Sequence, residues 1–383
     1  MRIALVHSFY RSDMPSGENL VVMRQAEAMR EAGHQVLLVA RNTDKESQKL
    51  LYSLRTAITV ATRFGPDPTA ELRAFGPDVV HVHNLFPNFG ERWLDSWDGP
   101  VVVTLHNFRP ICANGLLYRN GQVCTLCPDG DRLASLKHGC YRHSRVATLP
   151  LAIHNAGGIG RNRLLSRADR IITLSARSRA AYVDAGGHGI SEKMVVLPNG
   201  IEDRSVPERA APRHWAFVGR LTPEKGIKEV IDSWPGSERL RVVGDGPLEV
   251  ELRAKKRAGV TFAGQLSPGQ VDEVLRHSWG LVFPSRWVET GGPPLVVAEA
   301  AMHGIPILAR AGSSGADFVE RTGSGLAYQG ESDLPGMLQA VRDQNDDMAA
   351  RSRQAYLSEL SLAAWLRRLE QVYKSALTGV VTQ

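Results

Sequence analysis

Arg220 and Lys225 stand five residues apart in the stretch VGRLTPEKG, which follows the apolar run Trp215-Ala216-Phe217. Two cations on one short loop are either solvated charges or a clamp for an anion. A diphosphate is held well by paired cations together with the free N–H groups and positive end of a helix. Further on, PSRWVETGGPPLVVAEAAMHGIPIL places Glu289 on a Gly/Pro-rich loop and Glu299 one turn inside a helix that starts near Pro294 or Leu295. The start of that helix supplies N–H groups. Pro293 and Pro294 have none to give, so the donors must come from Gly291, Gly292, Leu295 or Val296. A buried carboxylate beside a ribose accepts two hydroxyl hydrogen bonds, a role suited to Glu299. Glu289 would take hydroxyls of a sugar. Gly244-Asp245-Gly246 and Gly264-Gln265-Leu266 are turns that close two further apolar runs. Singly, each of these residues has an ordinary reading as a loop charge, a helix carboxylate or a turn. Their common place, at the carboxyl ends of inferred parallel strands, is where open α/β sheets bind ligands. Together they describe a nucleoside-diphosphate sugar.

Cys112, Cys124, Cys127 and Cys140 follow the pattern C-x11-C-x2-C-x12-C. That spacing is compatible with a structural zinc held by four thiolates. Free thiols and disulfides are the alternatives, the latter disfavoured by a cytoplasmic setting.

The elements that must position these residues are legible as periodicity. Ile3–Val6, Gln35–Ala40, Val79–Val82, Val101–Leu105, Ile171–Leu174 and Met194–Leu197 read as strands, near-continuous in Val, Ile and Leu, as strands covered on both faces tend to be. A helix with apolar positions Leu20, Val21, Met23, Ala26 and Met29 separates the first two. The pattern restarts after LPNGIEDRSVPERAAPRH, a hinge candidate. Strands Ala216–Val218, Leu240–Val243, Val260–Phe262, Leu281–Phe283 and Ile305–Leu308 then alternate with helices Ile227–Trp234, Leu248–Arg257, Pro268–His277 and Leu295–His303. Ala363–Leu377 reads as an amphipathic helix that crosses back to the first domain. This predicts an α/β protein of two doubly wound domains, about 1–200 and 201–360, with a four-cysteine insertion near 108–145 and a crossover helix and tail at 361–383.

With 383 residues the chain is too long for one ordinary core. The N-terminus lacks the length of apolar run that a signal segment needs, and no window approaches a transmembrane span, so the expectation is a cytoplasmic protein. The net charge of +6 is uneven: residues 1–197 hold 24 Lys/Arg against 17 Asp/Glu. From Arg132 to Val183 there are ten basic residues and one acidic residue, Asp169. No aromatic-interleaved or helix-turn-helix pattern accompanies them, so nucleic acid is not the expected partner. A solvated face is the ordinary reading. Attraction to an anionic membrane surface, or to an acidic acceptor, is the functional one, which makes residues 132–183 a candidate for peripheral membrane contact.

At these motifs the chain resembles the retaining glycosyltransferases of the GT-B architecture, in particular the large fourth family. VGRLTPEKG looks like its phosphate-binding loop, and VVGDGP, FAGQL and the PSRWVET…LVVAEAAMHGIPI block follow in the family's order. Between Glu289 and Glu299 the loop is about two residues longer than is usual there. The resemblance implies two Rossmann-like domains facing each other across a cleft, the first binding the acceptor and the second the donor. It implies that Gly17, in PSGEN, approaches the donor phosphates. It also implies that His106, in VVVTLHNF, lies near the donor sugar, while His81 and His83 keep structural roles. The implied reaction moves a hexosyl unit from a nucleoside-diphosphate sugar, with UDP as the expected nucleotide. The acceptor would be a glycan, glycolipid precursor or secondary metabolite. Configuration would be retained through front-face attack assisted by the leaving phosphate, with no catalytic metal. A nucleotide-sugar epimerase, a disaccharide phosphorylase or a non-catalytic sugar-nucleotide-binding protein are the alternatives on the same scaffold.

Overall fold

The run Ile3-Ala4-Leu5-Val6 offers no side chain to water, so it calls for a sheet covered on both faces. The computed structural model describes residues 1–10, 17–205, 210–286 and 294–379. All four residues of the run are fully buried, in strand β1 (Arg2–Phe9). With β2 (Gln35–Asn42), β3 (Val79–Asn84), β4 (Val101–Leu105), a small antiparallel hairpin β5 (Tyr118–Arg119) and β6 (Gln122–Val123), β7 (Arg170–Thr173) and β8 (Met194–Val196), it completes the strands of the first half. Six of them form one parallel sheet in the order β2-β1-β3-β4-β7-β8. A second parallel sheet contains β9 (His214–Val218), β10 (Leu240–Val243), β11 (Val260–Gly264), β12 (Ser278–Phe283), β13 (Ile307–Arg310) and β14 (Gly325–Tyr328). Its order is β11-β10-β9-β12-β13-β14. Each order reverses direction once, between β1 and β3 and between β9 and β12. The crevice at such a reversal is where open sheets hold ligands.

Alternation along β9 shows how the second core is built. Trp215 and Phe217 join Ile231, Val242 and Leu338 on one face, while Ala216 joins Leu281, Val297 and Ala301 on the other. The expected strands are all present; Val101–Leu105 and Leu240–Val243 keep the expected bounds, and the others have displaced ends. β13 begins at Ile307 and not at Ile305, because Gly304 ends the preceding helix in the left-handed region (φ 63°) and Pro306 has no N–H for a ladder. The Gly17–Glu31 helix buries Val21, Val22, Ala26 and Met29 but leaves Leu20 and Met23 at the surface.

The chain divides into two compact units. The first contains residues Met1–Leu117, Cys124–Pro198 and Leu366–Gln383; the second contains Tyr118–Val123 and Asn199–Trp365. The C-terminal stretch joins the first unit through the Leu362–Thr378 helix. There Tyr373 Oη lies 2.7 Å from His81 Nδ1, Arg170 donates to Ser375 Oγ (2.9 Å), and Arg368 donates to the Val196 carbonyl (2.8 Å). Among the described residues no helix is long and apolar enough to cross a membrane.

Candidate active site

In the second unit the chain leaves β9 at Val218 and is at once tied to its neighbours. Gly219 N–H donates to the Val243 carbonyl (3.0 Å), Leu221 N–H to the Asp245 carbonyl (2.7 Å), and Gly244 N–H to the Gly264 carbonyl (2.8 Å). The loops after β9, β10 and β11 are thereby fixed to one another. Gly244 (φ 121°) is required twice over, by its dihedral and because a Cβ would meet the Gly219 carbonyl oxygen. Pro223–Lys225 forms a 3-10 turn ended by Gly226 (φ 68°), where a Cβ would meet the carbonyl oxygen of Pro284, just after β12. Arg286 N–H donates to the Glu224 carbonyl (2.9 Å). The cation loop therefore sits at the β9/β12 reversal. Arg220 is exposed and makes no ion pair among the described residues; Lys225 is half-buried.

Glu299 lies in the second turn of the Leu295–Met302 helix, whose first residues Leu295 and Val296 pack on the core. Its side chain is 21% exposed, and Oε1 stands 3.4 Å from Arg204 Nη2. Arg204 is itself clasped by Asp272 at 2.9 and 3.1 Å, and Asp272 receives His303 Nε2 at 3.0 Å. Burial alone would raise the Asp272 pKa, but the Arg204 and His303 hydrogen bonds carry it below the usual carboxylate value. Gly264 is in the left-handed region (φ 68°), Gln265 is exposed and Leu266 packs on the core. Glu289, Gly291 and Gly292 lie outside the described residues.

In the first unit the carboxyl ends of β1, β3 and β4 bring four histidines together. His83 Nδ1 lies 2.9 Å from His106 Nε2, and the His81 and His83 rings are 4.1 Å apart. His81 is held at both nitrogens, by Tyr373 Oη and Thr104 Oγ1, each at 2.7 Å. Burial lowers the pKa of His7 to about 4 and those of His81 and His106 to about 3, and it drives His83 well below its ordinary value. His106 is therefore a neutral hydrogen-bonding group, not a cation. Gly17 is the first residue of its helix, and the residue after it was not anticipated. Glu18 is 13% exposed, and burial raises its pKa to about 7 against the hydrogen bonds of Asn84 and Asn107 and the charge of Arg109. Its Oε1 and His7 Nδ1 are both buried without a hydrogen-bond partner, 4.0 Å apart. Beside this group a cavity of about 80 Å³ is bounded by Phe86, His106, Arg109, Leu151 and His154. His83 Nε2 is buried at its wall and has no hydrogen-bond partner. At its far side His154 Nε2 bonds Glu91 (2.8 Å); burial would lower its pKa, but the Glu91 hydrogen bond raises it.

None of the four cysteines is joined in a disulfide. Burial raises the Cys127 thiol to about 11, and Cys112, Cys140 and Cys124 add to that in the same direction. Cys112 Sγ lies 2.9 Å from Asn114 Oδ1. Among the described residues no group of three or more His, Cys, Asp or Glu side chains has the arrangement to hold a metal ion.

Two parallel-sheet α/β units of this kind define the GT-B fold. A sucrose-phosphate synthase from Thermosynechococcus elongatus superposes with a TM-score of 0.66 over 99% of this chain and 100% of its own, at 17% identity. HepE from Anabaena, crystallised in complex with UDP, gives 0.61 over 98% and 100%, at 15% identity. The sequence profile described as Glycosyltransferase Family 4 matches residues 15–204, and the one described as Glycosyl transferases group 1 matches residues 212–347. The chain belongs to the family 4 glycosyltransferases. Among curated relatives, a glycogen synthase of Mycobacterium tuberculosis is 26% identical, covering 93% of this chain and 88% of that protein. A phosphatidyl-myo-inositol mannosyltransferase of Mycobacterium leprae is also 26% identical, over 81% and 78%.

Proposed function

We propose that this glycosyltransferase moves a sugar from a nucleoside-diphosphate sugar, a UDP-sugar foremost, to an acceptor hydroxyl with retention of configuration and without a catalytic metal. The observation that carries the reading is Arg220: an exposed cation with no ion pair among the described residues, on a loop pinned at the β9/β12 reversal beside Lys225. The UDP bound to HepE supports the choice of nucleotide.

In this reading Arg220 and Lys225 hold the diphosphate, with N–H groups at the Leu295 helix start and of Gly291 and Gly292. Gly244, Gly264, Gln265 and Leu266 line the nucleotide side, and Glu299 accepts the ribose hydroxyls. Glu289 and His106 take sugar hydroxyls, and Gly17 approaches the phosphates. A neutral His106 suits a hydroxyl better than an imidazolium would. The bond from the anomeric carbon to the diphosphate oxygen breaks through an oxocarbenium-like state. Negative charge gathers on the leaving phosphate, which the two cations stabilise. The acceptor hydroxyl attacks from the face that the phosphate leaves, and its proton passes to a phosphate oxygen. The cavity beside His106 holds the acceptor.

The test is release of nucleoside diphosphate from a panel of donor sugars. Hydrogen bonds to charged groups contribute about 1.5–3 kcal/mol each, so Arg220→Ala and Lys225→Ala should each lower kcat by about ten- to a hundredfold, with smaller changes in donor KM. Turnover within about twofold of the parent in both variants would return these residues to ordinary loop charges. Consumption of free phosphate with no nucleotide released would make the protein a phosphorylase.

A further inference from the structure

Two helices of the first unit leave apolar stripes uncovered. On Tyr52–Thr62, Leu54 and Ile58, one turn apart, are 56% and 51% exposed. On Arg145–Asn155, Val146, Leu149 and Ile153 are 84%, 45% and 50% exposed. The helices are held together on their inner sides, where Val60 and Leu151 share a buried cluster. Their outer apolar residues are left about half or more exposed among the described residues, and uncovered stripes of this kind mark interaction sites.

Charge identifies the partner. Residues 47–66 and 132–168, which contain the two helices, hold no Asp or Glu at all. Arg55, Arg142 and Arg145 flank the stripes, are exposed, and make no ion pair among the described residues. A second copy of the chain seated on this face would set cation against cation, because a twofold contact pairs a patch with itself. An anionic bilayer meets both features. Leucine, isoleucine and valine enter the boundary between headgroups and acyl chains, while arginines stay level with the phosphates. We infer that the outer face of these two packed helices docks on an anionic phospholipid surface. The basic run 132–183 supplies only part of it; the Tyr52–Thr62 helix, outside that run, supplies the rest.

Co-sedimentation of the full chain with vesicles of phosphatidylcholine, alone or with one part in three phosphatidylglycerol, tests this. Binding is expected to the anionic vesicles only, and to weaken as salt is raised. Arg55→Glu/Arg142→Glu/Arg145→Glu should reduce it by about a hundredfold or more, and Leu54→Ser/Ile58→Ser/Leu149→Ser should reduce it comparably. Both variants should keep the parent's melting temperature and nucleotide release. Absence of vesicle binding by the parent protein would overturn the inference, as would undiminished binding by the charge-reversed variant. So would a dimer in sedimentation that the serine variant dissociates.

Discussion

Glu18 is an acid held where its neutral form is favoured. His7 Nε2 lies 3.0 Å from Asn19 Oδ1, so it donates there and leaves Nδ1 as an acceptor; the carboxyl of Glu18, 4.0 Å away, is the group placed to share a proton with it. The pKa of Glu18 rises from 4.5 to about 7, chiefly through burial. A raised carboxyl pKa means that the folded state binds a proton that the unfolded state has lost. The resulting cost to stability is absent below about pH 4.5, grows between 4.5 and 7, and is complete above 7. Glu18→Gln, which keeps an acceptor for Asn84 and Asn107 and turns an amide N–H toward His7, should therefore leave the melting temperature nearly unchanged at pH 4. It should raise it at pH 8, by the equivalent of about 1–3 kcal/mol. An equal shift at both pH values, measured by thermal denaturation, would mean that Glu18 is ionised throughout. Nothing in PSGEN singles out Glu18, since a first-turn glutamate is ordinary helix chemistry and its burial depends on Asn84 and Asn107, far away in sequence. Arg204 escaped for the same reason: its partners Asp272 and Glu299 become neighbours only in the fold.

At the level of elements, the pattern-bearing segments were legible and the pattern-poor ones were not. Continuous Val/Ile/Leu runs mark eleven strands of the two parallel sheets, but β14, Gly325-Leu326-Ala327-Tyr328, is too short and too rich in small residues to stand out. The site loops were legible because glycine and charge interrupt an apolar alternation at each strand end. What the sequence could not convey is that these loops are laced together, which makes Gly244 a structural linchpin rather than a mere turn. Gly244→Ala must leave the left-handed region and push back the Gly219 carbonyl, the residue next to Arg220. The expected result is a loss of about 1–3 kcal/mol together with at least a tenfold rise in donor KM, because the cation loop moves with it. Parent-like values of both, in thermal denaturation and steady-state kinetics, would show that the loops are independent.

For the whole molecule, the C-terminal helix decides whether the first unit stands without the end of the chain. Leu369, Val372, Tyr373 and Ala376 are buried, and Tyr373 reaches His81 while Ser375 engages Arg170. Burying side chains of this size contributes about 1.5–3 kcal/mol for each of the larger ones. Their sum, about 5–8 kcal/mol, is comparable to the whole stability of an ordinary domain, about 5–15 kcal/mol. The amphipathic spacing of Trp365, Leu369, Val372 and Tyr373 made the helix legible; the hydroxyl bond to a buried histidine far away in the chain was not. Ending the chain after Trp365 should leave the second unit, which contains Asn199–Trp365, folded, and should expose the first to protease. Limited proteolysis is expected to cut throughout residues 1–198 of the truncated chain at protease levels that spare 199–365. Tyr373→Phe, which removes one hydrogen bond and leaves His81 Nδ1 unsatisfied, should give a milder version, about 1–3 kcal/mol. If the truncated chain resists protease across residues 1–198 as the full chain does, the first unit is complete without residues 366–383 and the helix is an appendage.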